Sequence, residues 1–150
     1  MLQTVRDRVL RVAPCFFLSL GLAALPACER LASYTEQEHV ERARDFHRQG
    51  KFNAAQIELK NALAKNPKNA DARWLLGETY VELSRGPEAE EELKRAREFG
   101  IRPEALKVAL GNALLLQRNY RRVLDEIKPG SESSQPNMAR ILEIQARAQL

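Results

Sequence analysis

The chain has 150 residues and a mass of 17.0 kDa; 44% of its residues are apolar, 29% charged and 6% aromatic. That suffices for one modest domain and not for two. Three arginines and one aspartate of the +4 net charge fall in the first 27 residues, leaving 21 basic and 19 acidic groups for the rest. So even a balance argues against a nucleic-acid partner, which selects a basic face or stripe, while two cysteines and two histidines exclude a disulfide framework and leave little for a metal site.

Arg6, Arg8 and Arg11 precede an apolar run of 14 residues, Val12–Leu25. The run is short for a bilayer span and fits the apolar part of a secretory signal. Behind it, Leu25-Pro26-Ala27-Cys28 resembles a bacterial lipobox, although Pro26 is uncommon at its place. In that motif the cysteine thiolate accepts a diacylglyceryl group, and cleavage frees its amine for a further acyl chain. The expectation is a lipoprotein signal peptide over residues 1–27, lipidation at Cys28 and a tether over 28–34. Glu29 stands where many inner-membrane lipoproteins carry a retaining aspartate, so the expected location is the periplasmic face of the outer membrane. The alternative is an ordinary signal peptide cut near Ala27.

Beyond the tether, small residues recur within helical patterns. Ala43, Gly77, Gly111 and Ala146 are spaced by 34, 34 and 35 residues. Phe46, Tyr80 and Leu114 each follow their marker by three; Ala55 and Ala89 follow by twelve, Leu59 and Leu93 by sixteen, Ala62 and Ala96 by nineteen. This order of small and large residues resembles the tetratricopeptide repeat (TPR), a helix–turn–helix unit of 34 residues. Small side chains are needed where two helices cross closely, and larger ones fill the space between them.

Local signals place the helices. Thr35-Glu-Gln-Glu38 reads as a capping box for a first helix ending at Gly50, and its partner runs from about Asn53 to Lys65, stopped by Asn66-Pro67. A second pair covers about Ala70–Leu83 and Pro87–Phe99, and a third about Pro103–Gln117 and Tyr120–Lys128. A polar connector, Ser131–Asn137, leads into a last helix from Met138. The expectation is an all-α TPR solenoid of about three and a half units: 35–69, 70–102, 103–130 and a partial 137–150. In the last helix Met138, Ile141, Leu142 and Gln145 form one stripe, with Ile144 and Ala148 on another side. Such a helix seeks packing on two faces, so the array is expected to continue past Leu150.

Two segments carry a closer resemblance. Ala72-Arg-Trp-Leu-Leu-Gly-Glu-Thr-Tyr-Val-Glu-Leu83 with Glu88-Ala-Glu-Glu-Glu-Leu-Lys-Arg-Ala96, and Leu114-Leu-Leu-Gln-Arg-Asn-Tyr-Arg-Arg-Val-Leu-Asp-Glu-Ile-Lys-Pro-Gly130, are similar to the PrsT family of TPR lipoproteins in exosortase/PEP-CTERM protein-sorting systems. The resemblance implies a membrane-tethered scaffold in Gram-negative bacteria that make exopolysaccharide, with a longer array of repeats. The chain departs from the family at two turns, where Ser84-Arg85-Gly86 and Gln117-Arg118-Asn119 replace the usual Gly-acidic pair. The competing expectations are a TPR lipoprotein of another envelope machine, for polysaccharide export or outer-membrane protein assembly, and the docking module of a longer enzyme.

Catalytic parts are scarce. No P-loop, G-x-S-x-G, G-x-G-x-x-G or H-E-x-x-H is present, and no cofactor is called for. His39 and His47 lie about 80° apart around one helix with no third ligand near. His39 is expected at the open end of the array, and His47 as a cation near a helix C-terminus. Glu90, Glu91 and Glu92 are explained by the helix dipole and solubility. Arg44, Arg48, Trp74, Glu78 and Asn112 share the helical faces expected to line a concave, protein-binding surface. Trp74 equally suits packing between repeats. Val40, Leu75 and Ala109 stand where a carboxylate-clamping TPR domain needs lysine or asparagine.

Overall fold

Thr35 opens the first helix as its sequence predicts. Its hydroxyl accepts a hydrogen bond from the Glu38 amide, and the Glu38 carboxylate accepts one from the Thr35 amide at 2.6 Å. In this computed structural model, which describes residues 34–130 and 133–150, α1 (Glu36–Arg48) is followed by α2 (Phe52–Lys65), α3 (Ala70–Glu82), α4 (Gly86–Glu98), α5 (Pro103–Leu116), α6 (Tyr120–Glu126) and α7 (Gln135–Gln149). The segment expected to be a signal peptide, and Cys28, lie outside the described residues, among which there is no strand. The fold is an all-α TPR solenoid.

Asn69 caps α3 by accepting from the Ala72 amide at 2.7 Å. Proline occupies one of the first two positions of α4, α5 and α7, where its missing N–H leaves no helical bond unmade. That explains a difference at α7. Gln135, Pro136 and Asn137 belong to the helix rather than to the connector, because Pro136 is tolerated in a first turn. Likewise α6 stops at Glu126, short of Lys128, which precedes Pro129 and so disfavours helical backbone.

Four helices end in one way. After α1, α3, α4 and α5 the chain turns through a left-handed residue: Gly50, Ser84, Gly100 and Arg118, with φ of +70°, +58°, +113° and +56°. In each case the next amide reaches back five residues, as Lys51 does to the Phe46 carbonyl at 2.9 Å and Arg85 to that of Tyr80 at 2.8 Å. These are Schellman closures. Gly50, Ser84 and Arg118 recur at 34-residue spacing.

Helices pack as consecutive antiparallel pairs, α1 with α2, α3 with α4 and α5 with α6, each stacked on the next. The first helices of the units touch one another (α1 with α3, α3 with α5, α5 with α7), whereas α2 does not meet α4, nor α4 α6, through their backbones. Inner helices in contact and outer helices apart make the array curve, with α1, α3, α5 and α7 on the concave side.

Ala43, Ala55, Ala62, Ala89 and Ala96 are completely buried where helices cross. Gly77 and Gly111 mark still closer approaches. A Cβ on Gly77 lies 2.6 Å from Leu93 Cγ, and one on Gly111 2.9 Å from Ile144 Cγ2. Ala146 keeps the register but not the role: it is exposed, because no described helix crosses that face of α7. Ile141 also changes sides relative to expectation. It joins Ile144 and Ala148 against Leu114, Val123 and Ile127, leaving Met138 and Leu142 outside.

Candidate functional site

Four inner helices bring together residues that are far apart in sequence. From α3, Trp74 packs its ring against Leu93, Ala96, Leu106 and Ala109, so much of the indole serves the join between repeats. Its Nε1–H is buried without a hydrogen bond of regular geometry, although the Glu78 carboxyl one turn on is close enough to feel it. Burial raises the Glu78 carboxyl above the usual carboxylate range. Trp74, Arg44 from α1 and Arg140 from α7 act against that rise, and Glu82 adds to it. Arg44 and Arg140 thus act on Glu78 through the field of their charges rather than through an ion pair, and Arg44 lies 3.9 Å from Glu41 of its own helix.

Next to this centre lies an open hollow of about 290 Å³ lined by Val81, Asn112, Leu115, Leu116 and Arg147. Asn112 is in it, together with α3, α5 and α7 residues that the repeat pattern alone did not single out. Arg140 and Arg147 are missed by sequence reasoning because α7 follows a 35-residue step rather than 34. Applying that step to Asn112 finds Arg147. Arg48 is exposed and paired with Asp45 on its own helix, so nothing ties it to the central group.

Both histidines differ from expectation. His39 is buried, with Nδ1 2.6 Å from Glu58 Oε2, and Arg42 Nε donates to the same carboxylate at 2.9 Å. This is an α1–α2 tie beneath Tyr34, whose ring meets His39 edge-on and lies under the Arg42 guanidinium. His47 is half-buried against Phe52 and has an unpartnered Nε2. Burial lowers its pKa, with Glu82 offsetting only part, so its surroundings disfavour the cation that the helix end suggests.

The glutamate run is also more than solubility. Glu90 is buried and accepts from Lys94, Gln117 and Arg122; Glu92 takes Arg73 at 2.6 Å; only Glu91 is exposed, paired with Arg95. Val40, Leu75 and Ala109 are buried core residues, unavailable to a ligand. Among the described residues no group of three or more His, Cys, Asp and Glu is placed to hold a metal ion.

A family model, the tetratricopeptide repeat, matches residues 46–100. No curated protein matches the chain. A TPR domain is therefore present, and it covers α2, α3 and α4 with the end of α1. Paired helices of this kind form a non-catalytic scaffold with a concave surface suited to other proteins.

Proposed function

We propose that the chain is a lipid-anchored periplasmic scaffold that assembles other proteins on its concave face, at the outer membrane, within PEP-CTERM sorting linked to exopolysaccharide production. The observation that carries this reading is the pairing of Leu25-Pro26-Ala27-Cys28, directly behind an apolar signal run, with a TPR domain. The resemblance of residues 72–96 and 114–130 to PrsT supports the particular system. A tether through acyl chains confines the scaffold to one surface, where each buried CH₂ contributes about 0.8 kcal/mol to anchoring.

Cys28→Ser tests the anchor. The expected result is loss of fatty-acid labelling and transfer from the membrane to the soluble periplasmic fraction. An unlabelled wild type whose fractionation the substitution leaves unchanged overturns the lipoprotein assignment. Recovery of an exosortase substrate, or of exopolysaccharide machinery, by crosslinking to the wild-type chain tests the system. Exclusive recovery of β-barrel assembly components assigns the scaffold elsewhere.

A further inference from the structure

The concave face has two chemically different halves. At the centre, charges offset one another within the protein: Arg44 and Arg140 both act on the half-buried Glu78 carboxyl, and Arg44 also faces Glu41. Toward α7 they are not. Arg147 is exposed, and no ion pair or hydrogen bond joins it to another described residue. By contrast, Arg42, Arg73, Arg85 and Arg122 are clasped by Glu58, Glu92, Glu88 and Glu90. Arg147 lines the hollow together with Val81, Leu115, Leu116 and Asn112, and Leu116 keeps 42% of its surface in water. An unpaired guanidinium over exposed aliphatic carbon, with an amide beside it, is a surface with one charge and one apolar contact left to make.

We propose that this half of the groove docks an acidic–aliphatic segment of a partner protein. An Asp or Glu side chain of the segment accepts from the Arg147 guanidinium and the Asn112 amide, and a neighbouring Leu, Ile or Val rests on Val81, Leu115 and Leu116. The inference rests on the scaffold reading above and names its ligand. Complementarity of charge selects the segment: Arg147 is the charged side chain among the residues that line the hollow, so it attracts an acidic segment and repels a basic one. The planar fork of arginine suits a carboxylate bidentately, which a lysine at the same place does not.

The test uses fluorescence anisotropy with the full chain in detergent micelles and three labelled twelve-residue peptides, all amidated at the C-terminus so that only side chains offer carboxylates. One alternates Glu with Leu and Val; a second carries Gln for Glu; a third carries Lys. The first should bind, at least tenfold tighter than the Gln peptide, with the Lys peptide weaker still and affinity falling as salt rises. Arg147→Gln and, independently, Asn112→Asp should each weaken the Glu peptide about tenfold, while Arg97→Gln, exposed on the outer helix α4, leaves it unchanged. Circular dichroism melts check that the variants stay folded, as Arg147 is exposed. Absence of binding by the Glu peptide, equal binding of the Gln or Lys peptide, or indifference to both groove substitutions overturns the proposal. The scaffold reading is judged separately by crosslinking: partners retained on the Arg147→Gln chain leave the scaffold standing and remove this docking site.

Discussion

Serine and arginine at Ser84 and Arg118 hold backbone angles that glycine holds at Gly50, one and two repeats earlier. A side chain at φ near +57° is crowded against its own carbonyl, a strain of roughly 1–2 kcal/mol, partly offset because glycine is freer in the unfolded chain. Ser84→Gly and Arg118→Gly should therefore each stabilise the protein by about 0.5–1 kcal/mol in urea unfolding, and Gly50→Ala should destabilise by a similar amount. These turns were hard to read because Ser and Arg do not announce a left-handed residue, whereas Gly50 does. Gly86 poses a different demand, since its Cβ position lies 2.7 Å from the Ala113 carbonyl oxygen. Main chain cannot step aside as a side chain does, so Gly86→Ala should cost about 1–3 kcal/mol. The glycine of the Ser84-Arg85-Gly86 turn is thus kept for close packing of α4 on α5, two residues beyond the turn's strained position.

Between elements, buried polar ties act both within a unit, as His39 and Arg42 do on Glu58 and Arg73 on Glu92, and between units at Glu90. Glu90 on α4 takes Gln117 from the end of α5 at 2.9 Å and Arg122 from α6 at 2.7 Å, with Lys94 of its own helix completing the set. Burial pushes its carboxyl up, but these hydrogen bonds prevail and bring it down to about 2 from an ordinary 4.5. A carboxylate depressed on folding lends stability that is complete above pH 4.5 and disappears as pH falls toward 2. The contribution is on the order of 2 kcal/mol, discounted because Lys94 and Arg122 are partly in water. Glu90→Gln should accordingly flatten the acid side of the stability profile between those pH values, measured by thermal melts, whereas Glu91→Ala should shift stability by less than about 0.5 kcal/mol. The three glutamates look alike as a string. Only the outcome of helix packing separates them: Glu90 faces α5 and α6, Glu92 faces Arg73, and Glu91 faces water.

Across the whole molecule, helix positions were legible because caps, prolines and the 34-residue period all repeat, and each is a local property of the chain. The groove was legible only in part. Arg44, Glu78 and Asn112 recur at 34-residue spacing on successive inner helices and can be found by counting, but the charge of Arg140 acts on Glu78 from α7, two helices along the inner row, which no count within a segment reveals. Curvature belongs to the stack, not to any segment of it. A stack held by neighbour contacts should also come apart by neighbours. Leu93→Ala, in the middle, is expected to lower the main unfolding transition by about 2–5 kcal/mol. Ile141→Ala should instead free α7 alone, speeding amide exchange over Gln135–Gln149 while α3 remains protected. One tryptophan serves the entire chain, and it sits on this inner surface with its indole N–H beside Glu78. All of the protein's indole emission therefore originates beside the acid on which Arg44 and Arg140 act. Protonation of Glu78 or displacement of its arginines will change the field across that ring, so the unlabelled protein carries its own optical readout of occupancy, free of any background from a second chromophore of the same kind.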